Sequence, residues 1–163
     1  MRFLPALLLA SLACATSANA VKPGDPAPPI ALATPGGDAV SLAPLRGRVV
    51  YVDFWASWCT PCRRSFPWMN AMQARYAKDG LVIVGVNVDK RAADADRFLR
   101  DTPASFRIAL DADGKTPAAY DVKGMPSSFL VDRHGIVAWI EEGFRDVRRD
   151  DLEARIRALL AQH

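Results

Sequence analysis

Two cysteines stand three residues apart where a mainly apolar run ends. The run covers residues 49–55 and reads VVYVDFW, and the pentapeptide WCTPC follows at 58–62. An apolar run of this length predicts a buried strand, and Pro61 is of a type favoured in the first turn of a helix. A thiol at a helix N-terminus lies beside unpaired N–H groups, which favour its thiolate form. The sequence therefore predicts a strand, a turn and a helix that together hold a reactive thiol.

The spacing of the two cysteines favours redox chemistry over a structural role. A zinc site would need two further ligands, and the sequence offers none near the motif. We predict that Cys59, exposed at the helix start, is the attacking thiolate, and that Cys62, one turn later, is the resolving thiol. Thr60 and Pro61 separate them and are expected to tune the relative stability of dithiol and disulfide.

Residues 1–20 differ in composition from the rest of the chain. Arg2 precedes an apolar run at 3–15, and Ala18-Asn19-Ala20 then forms a small-residue cleavage signal. The run is too short to span a bilayer comfortably. We therefore expect a cleaved secretory leader at 1–20, one domain at 21–163 and a periplasmic location.

Cys14 lies inside this leader and leaves an alternative open. Leu12-Ala13-Cys14 partly resembles the lipid-attachment signal of bacterial lipoproteins, but Ser11 stands where an aliphatic residue is usual. We expect Cys14 to leave with the leader rather than to carry a lipid. The two remaining cysteines then pair with each other or with a partner, and an oxidising compartment gives such a dithiol a use.

Length and charge exclude some classes of protein. A chain of 163 residues, half of them hydrophobic, suits one globular domain. The formal net charge is +3 and loses one unit when Arg2 is removed with the leader. A charge this small, without a clustered basic segment, argues against nucleic-acid binding.

Periodicity and turn residues predict alternating strands and helices along the chain. The predicted order is an extended arm at 23–29, a hairpin of strands at 30–32 and 39–41, a strand at 49–55, a helix at 59–78 kinked by Pro67, a strand at 81–88, a helix at 93–101, a strand at 108–110, a helix at 117–120, a hairpin of strands at 128–131 and 136–140, and an amphipathic final helix through Leu152 and Leu160. This order indicates an α/β fold, with a mixed central sheet and helices on both faces. Binding sites of such sheets lie at the carboxyl ends of strands, where Cys59 is found.

The motif and its flanks resemble a known family. Segment 52–62 resembles the active-site segment of thioredoxins, and segments 62–69 and 84–88 resemble the extracytoplasmic TlpA/ResA-like branch of that superfamily. The resemblance covers most of residues 25–162. It implies a thioredoxin-like three-layer fold with an N-terminal β-hairpin extension and a mid-domain strand–helix insertion at 107–120, and the activity of a thiol-disulfide oxidoreductase.

The resemblance also suggests roles for residues outside the cysteine pair. Asp53 matches an aspartate that lies beneath the disulfide and relays a proton to or from the resolving cysteine, and burial would raise its pKa. Met125-Pro126 matches a cis peptide that faces the disulfide and offers backbone groups to an extended substrate segment. Trp58 is expected to form a surface shelf. Ser65 stands where many members carry a glutamate, so the proton route should depend more heavily on Asp53.

These features together predict an extracytoplasmic protein-disulfide reductase that needs no cofactor and no stable metal. The resemblance implies a DsbD-like membrane electron donor and cysteine-containing clients, for example in cytochrome c maturation. Two alternatives stay open. The same cysteines would serve a thiol oxidase or isomerase, and a dithiol could carry copper or zinc, although no histidine lies near the motif.

Overall fold

The computed structural model describes residues 20–162. The predicted leader, except Ala20, lies outside the described residues, and so does Cys14.

Within this range seven strands form one sheet, and four α-helices pack against it. The elements are β1 (Ala31–Ala33), β2 (Ala39–Ser41), β3 (Val49–Trp55), α1 (Thr60–Tyr76), β4 (Leu81–Asn87), α2 (Ala92–Asp101), β5 (Arg107–Leu110), α3 (Lys115–Ala119), β6 (Ser127–Val131), β7 (Val137–Glu142) and α4 (Arg149–Leu160). The strand order across the sheet is β2-β1-β5-β4-β3-β6-β7. Strands β3, β4 and β5 are parallel, whereas the other neighbouring pairs are antiparallel, so the sheet is mixed as predicted.

Strand β3 lies inside the sheet and is buried along its whole length. It pairs in parallel with β4, from Val49 opposite Leu81 to Trp55 opposite Asn87. On its other side it pairs with β6 in the antiparallel direction. A strand covered on both faces is expected to be almost continuously apolar, as this one is apart from Asp53.

The two faces of the sheet carry separate apolar clusters, because successive side chains of a strand point to opposite faces. Val49, Tyr51 and Trp55 of β3 belong to the cluster that also contains buried residues of α1, α2 and α4. Val50 and Phe54 belong to the other cluster, with residues of the β1–β2 hairpin region and Tyr120 at the end of α3. Helices therefore cover both faces, as predicted, but three lie on one face and the short α3 on the other.

Most predicted elements are confirmed with small shifts of their ends. The β1–β2 hairpin extends the sheet beyond β5, and β5 and α3 are the strand and helix expected between 107 and 120. Helix α1 ends at Tyr76, earlier than expected, and Cys59 is its N-cap. It continues through Pro67, which lies on its exposed side and lacks the N–H that would bond to the preceding turn.

The proline-rich N-terminal arm is tied to the beginning of β7. The Gly24 N–H donates to the carbonyl of Val137 at 2.8 Å, and the Val137 N–H donates to the carbonyl of Asp25 at 2.9 Å. A further bond of 2.9 Å joins the Ala27 N–H to the Gly135 carbonyl. The arm therefore satisfies backbone groups at one edge of the sheet, which would otherwise be open to pairing with another chain.

Gly85 in β4 allows an aromatic cluster to pack directly on the backbone. A Cβ at this position would lie 3.0 Å from Phe106 Cε2, 3.1 Å from Trp55 Nε1 and 3.2 Å from Ile108 Cδ1. Trp55 itself packs edge-to-face against Phe66 and at a tilt against Phe98, with ring centroids 5.0 and 4.7 Å away. These neighbours are buried on all sides, so they have little room to yield to an added methyl group.

We therefore expect Gly85→Ala to destabilise the protein by about 1–3 kcal/mol, the range typical of overpacked cores. Urea unfolding should show a lower midpoint with an unchanged dependence on urea. Gly36→Ala is the matched control, because its Cβ would have only Thr34 Oγ1 within reach, at 3.7 Å. Equal midpoints for the two variants would contradict this account of the packing.

Candidate active site

Cys59 and Cys62 are joined by a disulfide at the beginning of α1. Cys59 is the N-cap, with extended backbone angles, and the Cys62 N–H donates to Cys59 Sγ at 3.2 Å. The sulfur of Cys59 therefore takes the place of the side-chain oxygen that usually caps a helix. When the bridge is reduced, this N–H and the positive end of a 17-residue helix both favour a thiolate on Cys59.

Exposure differs sharply along the motif. Cys59 is 4% exposed and Cys62 is fully buried, whereas Trp58 is 70% exposed. Cys59 is thus less exposed than the sequence suggested, because both cysteines are part of the apolar cluster that includes the buried face of α1. It remains the more accessible of the two. Thr60 and Pro61 occupy the first turn of α1 between them.

Asp53 is the buried ionisable group of β3. Alternation along the strand places it on the same face as Tyr51 and Trp55, which is the face covered by α1. It is 1% exposed, and Ser128 Oγ donates a hydrogen bond of 2.6 Å to Oδ1. Oδ2 is buried and has no hydrogen-bond partner among the described residues. Burial raises the pKa of Asp53 from 3.8 to about 7, although the hydrogen bond from Ser128 partly opposes this change.

Met125 and Pro126 precede β6 and are joined by a cis peptide bond, as the resemblance implied. Register places them near the end of β3, because Ser127 lies opposite Phe54. Pro126 is buried, and its carbonyl accepts a hydrogen bond of 2.8 Å from the Gly143 N–H. Met125 is half-buried and contacts both apolar clusters. A surface groove follows this segment, lined by Lys123, Gly124, Met125, Pro126, Ser127, Glu142 and Gly143.

A second buried carboxylate, which sequence reasoning missed, holds the loop before the cysteines. Asp89, just after β4, is 6% exposed. Its oxygens accept hydrogen bonds from the Ser57 N–H at 2.9 Å, the Ser57 hydroxyl at 3.0 Å and the Asn87 side-chain amide at 2.8 Å. The loop that carries Trp58 is therefore fixed to the carboxyl end of the neighbouring strand. The signal available in the sequence was that β3 and β4 are adjacent parallel strands, so polar residues just beyond their ends share one edge of the sheet.

Ser65 has a local role in α1. Its buried hydroxyl donates to the Cys62 carbonyl at 3.0 Å. In residues 20–162 no three His, Cys, Asp or Glu side chains form a group that could hold a metal ion. In the same part of the chain, none of the helices has the length and apolar character needed to cross a membrane.

Comparison with known proteins agrees with this geometry. The family model for Redoxin matches residues 22–156. The chain belongs to the Redoxin family. This Redoxin-family chain is 32% identical over 144 residues to the thiol-disulfide oxidoreductase ResA of Geobacillus kaustophilus, covering 88% of this chain and 82% of that protein. It is also 32% identical over 125 residues to ResA of Bacillus subtilis, covering 77% and 70% of the two chains.

A solved structure with a similar fold comes from Chlorobium tepidum, where the protein is assigned as the thiol:disulfide interchange protein DsbE. It superimposes with a TM-score of 0.85 at 50% identity, covering 87% of this chain and 100% of that one. The Redoxin-family protein described here is therefore a thiol-disulfide oxidoreductase of the ResA/DsbE type with a thioredoxin-like fold, and Cys59 and Cys62 form its disulfide pair.

The raised pKa of Asp53 makes stability depend on pH. Between about pH 4 and pH 7 the folded protein keeps a proton on Asp53 that the unfolded chain has released, so the free energy of unfolding falls as pH rises through this window. The difference between 3.8 and about 7 corresponds to roughly 4 kcal/mol. Asp53→Asn removes this titration, so its stability relative to the parent should increase from pH 4 to pH 7 and stay constant above.

Urea unfolding of the disulfide form across this pH range measures the difference between the variant and the parent. Asp113→Asn is the control, because the Asp113 side chain is 74% exposed and should leave the pH dependence unchanged. Parallel stability curves for Asp53→Asn and the parent would mean that Asp53 does not titrate in this range.

Proposed function

We propose that this oxidoreductase works outside the cytoplasm and reduces the disulfides of client proteins. The observation that carries the exchange chemistry in this proposal is the cysteine at the N-cap of α1 together with a buried carboxyl, of pKa about 7, on the side of β3 that α1 covers. Thiol–disulfide exchange needs a nucleophilic thiolate, and a group able to exchange protons near neutral pH can produce one by deprotonating a buried thiol.

The first step uses Cys59. In the reduced enzyme its thiolate attacks one sulfur of the client disulfide, which forms a mixed disulfide and releases the other client sulfur as a thiolate. The N–H of Cys62 and the N-terminus of α1 stabilise the negative charge on Cys59 before attack. Cys59 is preferred to Cys62 because Cys62 is fully buried.

The second step uses Cys62 and Asp53. The Cys62 thiol gives its proton to the Asp53 carboxylate, and the resulting thiolate attacks Cys59 Sγ. The bond between Cys59 and the client breaks, the client sulfur leaves as a thiolate, and the enzyme is left with its Cys59–Cys62 disulfide. Two electrons have then passed from the enzyme to the client. In the reverse direction, protonated Asp53 returns the proton to the departing sulfur of Cys62.

Client binding is assigned to the surface around the cysteines. Trp58, which precedes Cys59 in the chain, is 70% exposed and offers an apolar contact. Met125 and Pro126 border the groove described above, and an extended client segment would lie there against the Met125 backbone. Thr60 and Pro61 set the relative stability of dithiol and disulfide from within the first turn of α1.

The enzyme needs an electron donor, because each turnover leaves it oxidised. We assign this task to a DsbD-like membrane protein and propose cysteine-containing clients, including factors of cytochrome c maturation. The basis is the sequence resemblance to the TlpA/ResA-like branch and the similarity to proteins named ResA and DsbE. The periplasmic location rests on the leader predicted at 1–20.

The reduction potential of the Cys59–Cys62 pair tests the direction of electron flow. We expect a value more negative than about −200 mV, toward the −270 mV of thioredoxin and away from the −120 mV of a strong oxidant. The measurement is equilibration with glutathione, and catalysis of insulin reduction should accompany such a value. Because roughly 30 mV is a tenfold change in equilibrium constant, a potential near −120 mV would decide clearly for an oxidase.

Trapping experiments test the assigned order of the cysteines. Cys62→Ser should accumulate mixed disulfides with a model disulfide protein, several-fold more than Cys59→Ser, because its attacking sulfur is present and its resolving sulfur is missing. Non-reducing mass spectrometry measures the adducts, and the double variant is the control for non-specific capture. More adduct on Cys59→Ser than on Cys62→Ser would reverse the roles.

A further inference from the structure

Ser128 lies opposite Asp53 in the sheet. The antiparallel register of β3 and β6 pairs the two residues directly, and Leu130, two residues further along β6, belongs to the α1-side cluster. Phe129 and Val131 belong to the cluster on the other face. Ser128 and Asp53 therefore point to the same side of the sheet, where opposed side chains lie close enough to contact each other.

The hydrogen bond between them distinguishes the two oxygens of the carboxyl group. A serine hydroxyl has one hydrogen to donate, and that of Ser128 goes to Asp53 Oδ1 at 2.6 Å. Oδ2 is equally buried but has no partner among residues 20–162. An oxygen that accepts the serine hydrogen is the poorer site for a further proton, so the carboxylic acid carries its proton on Oδ2.

The same bond acts against the effect of burial. Ser128 stabilises the ionised carboxylate and so lowers the pKa of Asp53, whereas removal from water raises it. Without the hydroxyl, the carboxyl would stay protonated to higher pH. A smaller fraction of it would then be ionised and able to accept the Cys62 proton at neutral pH.

Two other ionisable groups on this face of the sheet, Tyr51 and Glu141, do not take over the role of Ser128 beside Asp53. Burial and the negative charge of Asp53 raise the pKa of Tyr51, which therefore stays neutral and keeps its own proton, although a hydrogen bond with Ser128 partly opposes this change. Glu141 of β7 lies opposite Ser128, and its Oε2 is 3.2 Å from Arg148 Nη2, with which it is paired. Cys59 and Cys62 belong to the apolar cluster on the same face, and Cys62 is the proton donor in the proposed reaction.

We propose that Ser128 is a positioning residue for Asp53: its hydroxyl occupies Oδ1 and thereby makes Oδ2 the oxygen that accepts and returns the Cys62 proton. This inference rests on the role of Asp53 in the proposed function. It adds a second member to the proton-handling group, on a strand 75 residues away in sequence.

Two measurements test this inference. The first is the titration of the Asp53 carboxyl carbon, followed by NMR in the disulfide form, which needs no activity. In Ser128→Ala the midpoint should rise by about one pH unit or more, as expected for a lost hydrogen bond to a charged group. Ser128→Thr, which keeps the hydroxyl, should return it to the parent value.

Ser127→Ala is the matched control, since the Ser127 hydroxyl is equally buried but donates to the Gly124 carbonyl. It should leave the midpoint of Asp53 unchanged. The isosteric pair Ser128→Thr and Ser128→Val differs only in the hydroxyl, and makes the same comparison if the alanine variant is too unstable. An unchanged midpoint in both Ser128→Ala and Ser128→Val, or a threonine variant that behaves like valine, would overturn the inference.

The second measurement is the rate at which the Cys59 mixed disulfide is resolved, as a function of pH. The profile of Ser128→Ala should move to higher pH by the same amount as its NMR midpoint, and a profile that stays in place would overturn the inference. Asp53→Asn separates the two proposals. If Asp53→Asn resolves the mixed disulfide at the parent rate at every pH, the role of Asp53 in the proposed function is wrong. If Asp53→Asn resolves it more slowly but the pH profile of Ser128→Ala does not move, only the role of Ser128 is wrong.

Discussion

The position of β3 between β4 and β6 is the constraint on which the active site depends. Its backbone is hydrogen-bonded on both sides and its side chains are buried on both faces, so it has no freedom to shift alone. Asp53 is therefore held at a fixed register relative to β4 and β6, and the chain leaves the sheet at Trp55 in a fixed direction. The turn that follows brings Cys59 to the start of α1. The proposed proton carrier and the proposed nucleophile are thus positioned by one rigid segment.

Asp53 is where the sequence departs from the pattern that its fold requires. A central strand covered on both faces favours apolar residues throughout, and an ionisable group there costs stability because it loses its hydration. One hydrogen bond from Ser128 recovers only part of this loss, since Oδ2 has no partner within the part of the chain that the structure describes. A natural protein keeps such a local conflict mainly where function needs it. The same burial that costs stability raises the pKa of the carboxyl toward neutrality.

Sequence reasoning predicted the parts of this structure that depend on neighbours along the chain. The bounds of β3 and the beginning of α1 follow from local apolar runs and from the cysteine motif, and both are confirmed. The cis peptide at Pro126 needed the family resemblance, because a proline before a strand is usually trans. Ser128 and Asp89 were missed for a different reason. Their partners, Asp53 and Ser57, are 75 and 32 residues away, and only the strand order and register bring each pair together.

Because Asp89 holds Ser57 in place, the client rather than the enzyme must change its conformation when the two bind in the proposed reaction. The loop before Cys59 is held by two hydrogen bonds from Ser57 to one buried carboxylate, so the enzyme side of the contact is already ordered. Ordering a flexible segment on binding costs conformational entropy. In the proposed reaction nearly all of that cost falls on the client, which must bring its disulfide to a sulfur that is only 4% exposed. In that reaction, flexibility around the client cysteines would affect selection as well as their sequence.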